Sequence, residues 1–461
     1  MKKAVVAILV LIIGVVLAVP FAGGLILEKT IRNAFDEVNG IYAETGTGYS
    51  LEIIDYDRGY LSSVIHWKVD LGILKSIYPV EEVVFVDHAR HGFTGVTSAT
   101  SLEKNPWYAD FVEQRLQGRD PLHITTRYRL SGSIESTVAL DPFSFALDGE
   151  TLDVSGGSMV MTTDRNLENF TSAGTWDGLS AGKTMTIGKT IMASTLKRVS
   201  PYIWAGNIGY QMRRIDVRDK TTPFELVDLQ GDYTLSVSDD RTKSAMDARF
   251  SLGGMTAGNK TIGKASLRVA VSGLDTEGYE AFMKQYTRSI GEVLGGVAAM
   301  DKGSQADQEA VKRQVAMLGF QMMAAYEKLL KQGLEVRISN LAVKLPEGDI
   351  SGSLTLRLLK DMTFVQFAPV AAQPDLLFGI FYLKSDLSLP AGLVGENPKL
   401  LTPAFPGMQT GLFVNNGGNL VHRAETVDGK LILNGVEVAL PGQHGVQPAA
   451  AVDRGSPSGR I

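Results

Sequence analysis

Cysteine is absent from all 461 residues. That removes disulfides, thiolate nucleophiles, thiolate metal sites and the acylated cysteine of a lipoprotein together. A basic surface is missing too: the formal charge is −5, so the chain lacks the electrostatic footprint of a nucleic-acid binder. No G-x-S-x-G nucleophile turn occurs. Gly156-Gly157 and Gly253-Gly254 sit between strand-like segments with no helix behind them, so they read as turns and not as phosphate cradles. No cofactor fingerprint is present, and the expectation is a protein without cofactor.

The most informative absence is of charge between Lys3 and Glu28. Residues 4–27, including Ala4, Leu11, Val16 and Leu27, form an apolar run of about 36 Å as a helix, against a hydrocarbon layer about 30 Å thick. Lys2 and Lys3 are the only positive charges ahead of it, so the N-terminus is expected in the cytoplasm and the rest beyond the inner membrane. A cleaved signal peptide is the competing reading. Its apolar core spans about 7–15 residues and ends in a small-x-small site, whereas residues 19–24 offer no clean A-x-A. Leu27, Ile31 and Phe35 recur at helical spacing, which predicts a helix continuing past the run; Pro20 can kink it without breaking it.

Glycine is abundant, 49 residues against about 32 at ordinary usage. Much of it falls between short alternating segments. Ile65, Trp67, Val69, Leu71 and Ile73 share one strand face, with His66, Lys68 and Asp70 opposite. Further strands are predicted near 124–130, 134–140, 143–147, 152–154 and 159–161, with Asp148-Gly149 as a hairpin turn. A second β-rich stretch spans about 208–273, carried by Tyr233-Leu235-Val237, 246–252 and 267–271. Close spacing without crossover helices predicts an antiparallel meander. Two amphipathic helices of about 25 residues are expected within 276–332, the second capped by Ser304 with Asp307. Strands resume near 334–338, 354–358, 377–389 and 420–422, and a last hairpin turns on Asn434-Gly435.

The close histidine pair is His88 and His91, preceded by Asp87. A metal-assisted hydrolase built on these three is the alternative function, but residues of odd separation on a strand face opposite ways and no third ligand stands out. Acid pairs such as Glu81-Glu82, Asp239-Asp240 and Asp55/Asp57 fall in turns or strand ends, where carboxylates are ordinarily solvated. No catalytic residue is assigned, and the expectation is that the protein is not an enzyme.

Tyr56-Asp57-Arg58-Gly59-Tyr60-Leu61-Ser62-Ser63 resembles the Y-x-R-G-x-x-S-S stretch of the bacterial YdgA-like (YdgA/YihF) family. Val86-Asp87-His88 through Gly92 resembles its V-D-H-G segment, although His88-Ala89-Arg90-His91-Gly92-Phe93 stands where the family has H-G-P-F. Val154-Ser155-Gly156-Gly157 with Asp164-Arg165, and 429–435 with Asn434-Gly435, are similar to two further family motifs. The resemblance implies an inner-membrane-tethered, periplasm-facing protein of uncharacterised activity, with no catalytic residues to carry over. Arg58-Gly59 reads physically as a turn or bulge, Gly59 permitting a positive φ and Arg58 buried and satisfied.

The expected fold is α+β, mainly β: an anchor and helix extension at 1–35, a β-rich lobe at 36–206, a second at 207–440 holding the helical hairpin, and a disordered tail at 441–461. The expected function is that of a non-catalytic envelope protein, lipid-binding or scaffolding. Its partners would be the bilayer, through the N-terminal helix, and an envelope lipid or protein.

Overall fold

The computed structural model describes residues 2–45, 48–72, 82–103, 108–147, 149–218, 223–300, 305–366, 378–393 and 411–438. The side chains of residues 1–20, the cap Ser304, Ile73, Glu81, Asp148 and the tail 441–461 lie outside the described residues.

The strands join into a single antiparallel sheet, twenty-six of them among the described residues. The strand Trp204–Val217 spans the expected lobe boundary at 206/207 and pairs along both flanks, so the sheet crosses it unbroken. Directly opposed residues lie on the same face of a sheet. One row of them runs Tyr56, Ile65, Asp87, Thr100, Ile124, Val138, Met159, Gly174, Met192, Tyr210, Gly231, Phe250 and Leu267. That row is largely apolar. The neighbouring row on the other face carries Arg127 opposite Glu135, then Thr162 opposite Thr171. The sheet therefore has one apolar face, continuous through strand after strand, and one polar face.

Four consecutive hairpins break at the same level. The Ile134–Leu140/Gly157–Thr163 pair breaks at Asp141-Pro142 and Ser155-Gly156 before resuming as Phe143–Leu147/Glu150–Val154. The next three break at Asp177-Gly178 with Gly188-Lys189, at Arg213 with Asp228, and at Gly253 with Gly263-Lys264. Main-chain hydrogen bonds still cross the line: the Asp177 amide donates to Gly156 (3.0 Å), Gly188 to Arg214 (2.7 Å) and Gly253 to Val227 (2.9 Å). Aligned bulges bend these strands at one level and so crease this part of the sheet. Gly178 shows why glycine is needed there: with φ +107°, a Cβ would lie 2.0 Å from the Ile187 carbonyl oxygen.

Three helices meet the apolar face. Helix α1 is Lys2–Thr45, so the helix does continue past the apolar run as the spacing predicts. It docks through Leu27 and Ile31 onto Ile65, Ala89 and Val96, with Phe35 and Trp67 alongside. Asn39 clamps the edge strand, its side chain accepting from the Leu51 amide (2.7 Å) and donating to the Leu51 carbonyl (2.8 Å). Two residues earlier, Glu37 pairs with Arg198. Leu51 and Arg198 lie eight strand steps apart along the ladder, about 38 Å on a flat sheet at about 4.8 Å per step. One helix reaches both because the sheet curls around it.

Helices α2 (Thr276–Met300) and α3 (Gln305–Leu329) form the expected hairpin. Tyr279, Phe282, Met283 and Leu329 pack on Ile203, Tyr233, Leu235, Val237 and Met246, so the hairpin covers part of the apolar face.

The position of Leu27 corrects the anchor expectation at its C-terminal end. Leu27 is 1% exposed beneath the sheet, and Gly23 and Gly24 face Val96 and His91. The part of the apolar run left free of the sheet is therefore residues 4–22, about 28 Å of helix. Among the described residues no helix is long and apolar enough to cross a membrane. Leu27→Ala is expected to lower stability by about 2–5 kcal/mol in denaturant titration of the detergent-solubilised chain, as for a core leucine; a lipid-facing residue would leave the midpoint unchanged.

Candidate functional site

Most of the apolar face is only half-buried. Among the described residues, three separate clusters of fully buried apolar side chains form under α1, under the α2–α3 hairpin, and around Leu358, Met362 and Ile380. Between the first two lies a groove of about 250 Å³, lined by Val138, Leu140, Gly157, Met159, Gly174, Trp176 and Met192. It sits at the crease and within the bend. Met192, 47% exposed, forms part of its wall, and Ile208 and Phe250 extend the exposed apolar strip beyond it.

Trp176 is built into the groove by its neighbours. It stands opposite Gly157, where a Cβ would come within 3.1 Å of the indole. Its Nε1 donates to the Ser155 carbonyl oxygen (3.1 Å). The Gly156-Gly157 pair is thus no hairpin turn: it makes a step in the crease and leaves room for an aromatic ring. Gly231 plays a similar part beneath Tyr210, whose ring a Cβ would meet at 2.3 Å. Asp164, past the same strand, accepts from the amides of Asn166, Glu168 and Asn169 at 2.9–3.1 Å and from the Asn169 side chain at 2.6 Å. Burial opposes its charge, yet the hydrogen bonds to these amides outweigh it and hold the carboxyl below its ordinary range.

The histidine pair does not converge. His88 is exposed on the polar face, whereas Asp87 and His91 point inward. His91 Nδ1 lies 3.2 Å from the Tyr60 carbonyl, which can only accept, so Nδ1 carries the hydrogen. Nε2 then accepts from the Ser63 hydroxyl at 2.9 Å. Both ring nitrogens are engaged under α1, and Gly24 leaves space for the ring: a Cβ there would approach it to 2.5 Å. Asp87 accepts from Trp67 Nε1 (3.1 Å) and from the Thr100 hydroxyl. Among the described residues no three acidic or histidine side chains gather as metal ligands. The metal reading of His88, His91 and Asp87 is therefore corrected: strand alternation separates the first pair, and hydrogen bonds occupy the other two. His422 repeats the arrangement, with Nε2 2.7 Å from Ser385 Oγ and Nδ1 3.0 Å from the Leu412 carbonyl.

The other motif residues are placed as follows. Arg58 is not buried; it pairs with Glu28 of α1 (2.9 Å) and lies over the Phe21 ring at 5.7 Å. Gly59 does not take a positive φ. Its need is steric, since a Cβ would sit 2.9 Å from the Ser62 carbonyl oxygen. Asn434 and Gly435 do take positive φ, 49° and 86°, as an Asn-Gly hairpin requires. Asn434 also tethers the last hairpin, accepting from the Arg423 amide (2.8 Å) and donating to the Gly411 carbonyl (2.7 Å).

The sequence reading missed the groove wall at Trp176, Thr190 and Met192. Its signal was present in the alternation Phe170-Ser172-Gly174-Trp176, but Ser and Gly on the apolar face blur the pattern.

A family model described as "Bacterial protein of unknown function (DUF945)" matches residues 1–441. The chain belongs to the DUF945 family. A relative of this DUF945 protein is Protein YdgA of Escherichia coli (strain K12), 23% identical over 399 residues, which cover 80% of this chain and 77% of the relative. No solved structure matches.

Burial raises the Asp87 carboxyl above its ordinary 3.8, against the hydrogen bonds from Thr100 and Trp67 that favour its charge. The folded state accordingly holds the proton more tightly than the unfolded state, and stability falls as pH rises from about 4 through the raised value. Asp87→Asn keeps an acceptor and is expected to flatten this slope in denaturation midpoints measured from pH 4 to 8. Asp87→Ala strands the Trp67 N–H and is expected to cost about 1–3 kcal/mol across the range.

Proposed function

We propose that this protein is a non-catalytic, membrane-tethered envelope protein that carries a lipid acyl chain on the apolar face of its sheet. One observation carries the reading: the apolar strip between α1 and the α2–α3 hairpin has no covering element among the described residues. Pockets that enclose a small ligand run about 300–1,000 Å³, so an open groove of about 250 Å³ suits a chain lying along it better than a compact molecule held inside. At about 0.8 kcal/mol per buried methylene, eight methylenes laid against Trp176, Met159 and Met192 contribute about 6 kcal/mol. The groove's walls are hydrocarbon, thioether and indole, with the Trp176 N–H already satisfied, so recognition there is by shape and apolarity.

The tether rests on the apolar run behind Lys2 and Lys3, which favours a cytoplasmic N-terminus, an inner-membrane span and a periplasmic body. In that arrangement the sheet starts where the span ends, because α1 runs from one into the other.

The test is native mass spectrometry with lipid extraction on the full chain purified in mild detergent. Bound phospholipid or fatty acid is expected in stoichiometric amount. Met192→Arg places a charge in the groove from an exposed position and is expected to lower bound lipid about tenfold, a change of about 1.4 kcal/mol. A lipid-free chain, or lipid retained unchanged by the variant, overturns the reading. A co-purifying protein in place of lipid would favour the scaffolding function.

A further inference from the structure

We infer that the first three hairpin tips of the sheet insert into the bilayer interface around α1 and fix the orientation of the sheet on the membrane; this rests on the tether proposed above. Each tip presents a large apolar side chain to solvent. Leu61 is 60% exposed, Phe93 58% and Leu130 46%. The tips are level, because neighbours are bonded: the His91 amide donates to the Leu61 carbonyl (2.8 Å) and the Leu130 amide to Thr94 (3.4 Å).

They also surround α1 at a defined height. Phe21 stacks on Tyr60 at 6.3 Å, Gly23 faces Val96, and Gly24 faces His91. Leu25 projects outward from the same turn of the helix. The apolar ring of Phe21, Leu25, Tyr60, Leu61, Phe93 and Leu130 thus encircles the level at which residues 4–22 leave the sheet. Exposed apolar groups beside a span, with tyrosine among them, are the composition of a membrane-interface belt.

The pattern is local. Further along the same edge the turns become Asp164-Arg165-Asn166 and then Asp239-Asp240-Arg241. Among the described turns at the far end of the strands, two carry Gly182-Lys183 and Gly258-Asn259 and a third presents Leu147. Apolar tips cluster where the helix meets the sheet, which solubility alone does not require. The occupant is a lipid surface, because the helix that the tips surround is the one bearing the uncharged run.

The absence of cysteine permits a direct test on the full chain. Single variants Leu61→Cys, Phe93→Cys and Leu130→Cys are labelled with an environment-sensitive fluorophore. They are reconstituted in nanodiscs of phosphatidylethanolamine and phosphatidylglycerol. Quenching by a nitroxide near the headgroup end of the acyl chain is compared with quenching by aqueous iodide. Val10→Cys reports the span, and Asn259→Cys reports bulk water. Labels at 61, 93 and 130 are expected to be quenched by the lipid nitroxide several-fold more than the label at 259, and to be shielded from iodide. If the label at 10 is lipid-quenched while the three tips behave like 259, this inference fails and the tether stands. If the label at 10 is not lipid-quenched, the tether fails and this inference with it.

Discussion

An antiparallel sheet keeps its two faces distinct only while the register holds, because a slip of one residue moves every side chain to the other face. Here the register is kept from Tyr56 on the edge strand to Leu267, thirteen strands along one row, and apart from the steps through Asp87 each sets an apolar or small residue beside another. The sum is an apolar surface that α1 and the α2–α3 hairpin leave partly uncovered among the described residues. Everything else in the molecule is a response to that surface: helices laid on it, aromatic rings folded over glycines, and a groove where neither suffices.

The crease and α1 address the same problem from opposite sides. A flat sheet would present its whole apolar face to water, whereas bulges at one level bend the hairpins and let the face close on itself. Helix α1 fills part of the resulting trough, and its Glu37 and Asn39 hold Arg198 and Leu51 within reach of one another. Two polar groups under the helix are paired within the sheet, Asp87 with Trp67 and Thr100, and His91 with Ser63 and Tyr60. The α1 seat is made specific by the polar pairs the helix itself forms, Glu28 with Arg58, Glu37 with Arg198 and Asn39 with Leu51, which a shifted helix would break.

How much of this was legible in the chain depends on which residues carry the pattern. Strands with strong alternation, such as Ile65-Trp67-Val69, and helices with an apolar stripe ending at Leu329, are read directly because local periodicity decides them. The strands from Asn169 to Arg198, and the start of Trp204–Val217, escaped because Ser172, Gly174, Ser194 and Gly206 occupy the apolar face, where packing against large neighbours favours small residues. Gly156-Gly157 illustrates the limit. As a dipeptide between strands it reads as a turn, and only the distant Trp176 explains why side chains are missing there. Leu27 shows the same limit at the N-terminus, where an uncharged run spans two environments, the last part buried by protein. Hydropathy cannot tell lipid from a sheet face, since both are apolar.

That ambiguity is itself informative about mechanism. Under the proposed tether, a helix whose apolar run passes from the bilayer onto the sheet's inner face connects two apolar environments without an intervening polar linker: Gly23, Gly24 and Leu27 continue the run into the trough that also contains the groove. The sheet is thereby held close to the hydrocarbon layer, at a separation set by the few residues between Ala22 and Leu27. An acyl chain leaving the bilayer beside α1 would meet the tips, then the apolar face, with little exposure to water on the way. The cost of moving hydrocarbon through water, about 0.8 kcal/mol per methylene, is what so short a connection would spare a lipid carrier, and this is why the proposed function favours lipid over a protein partner.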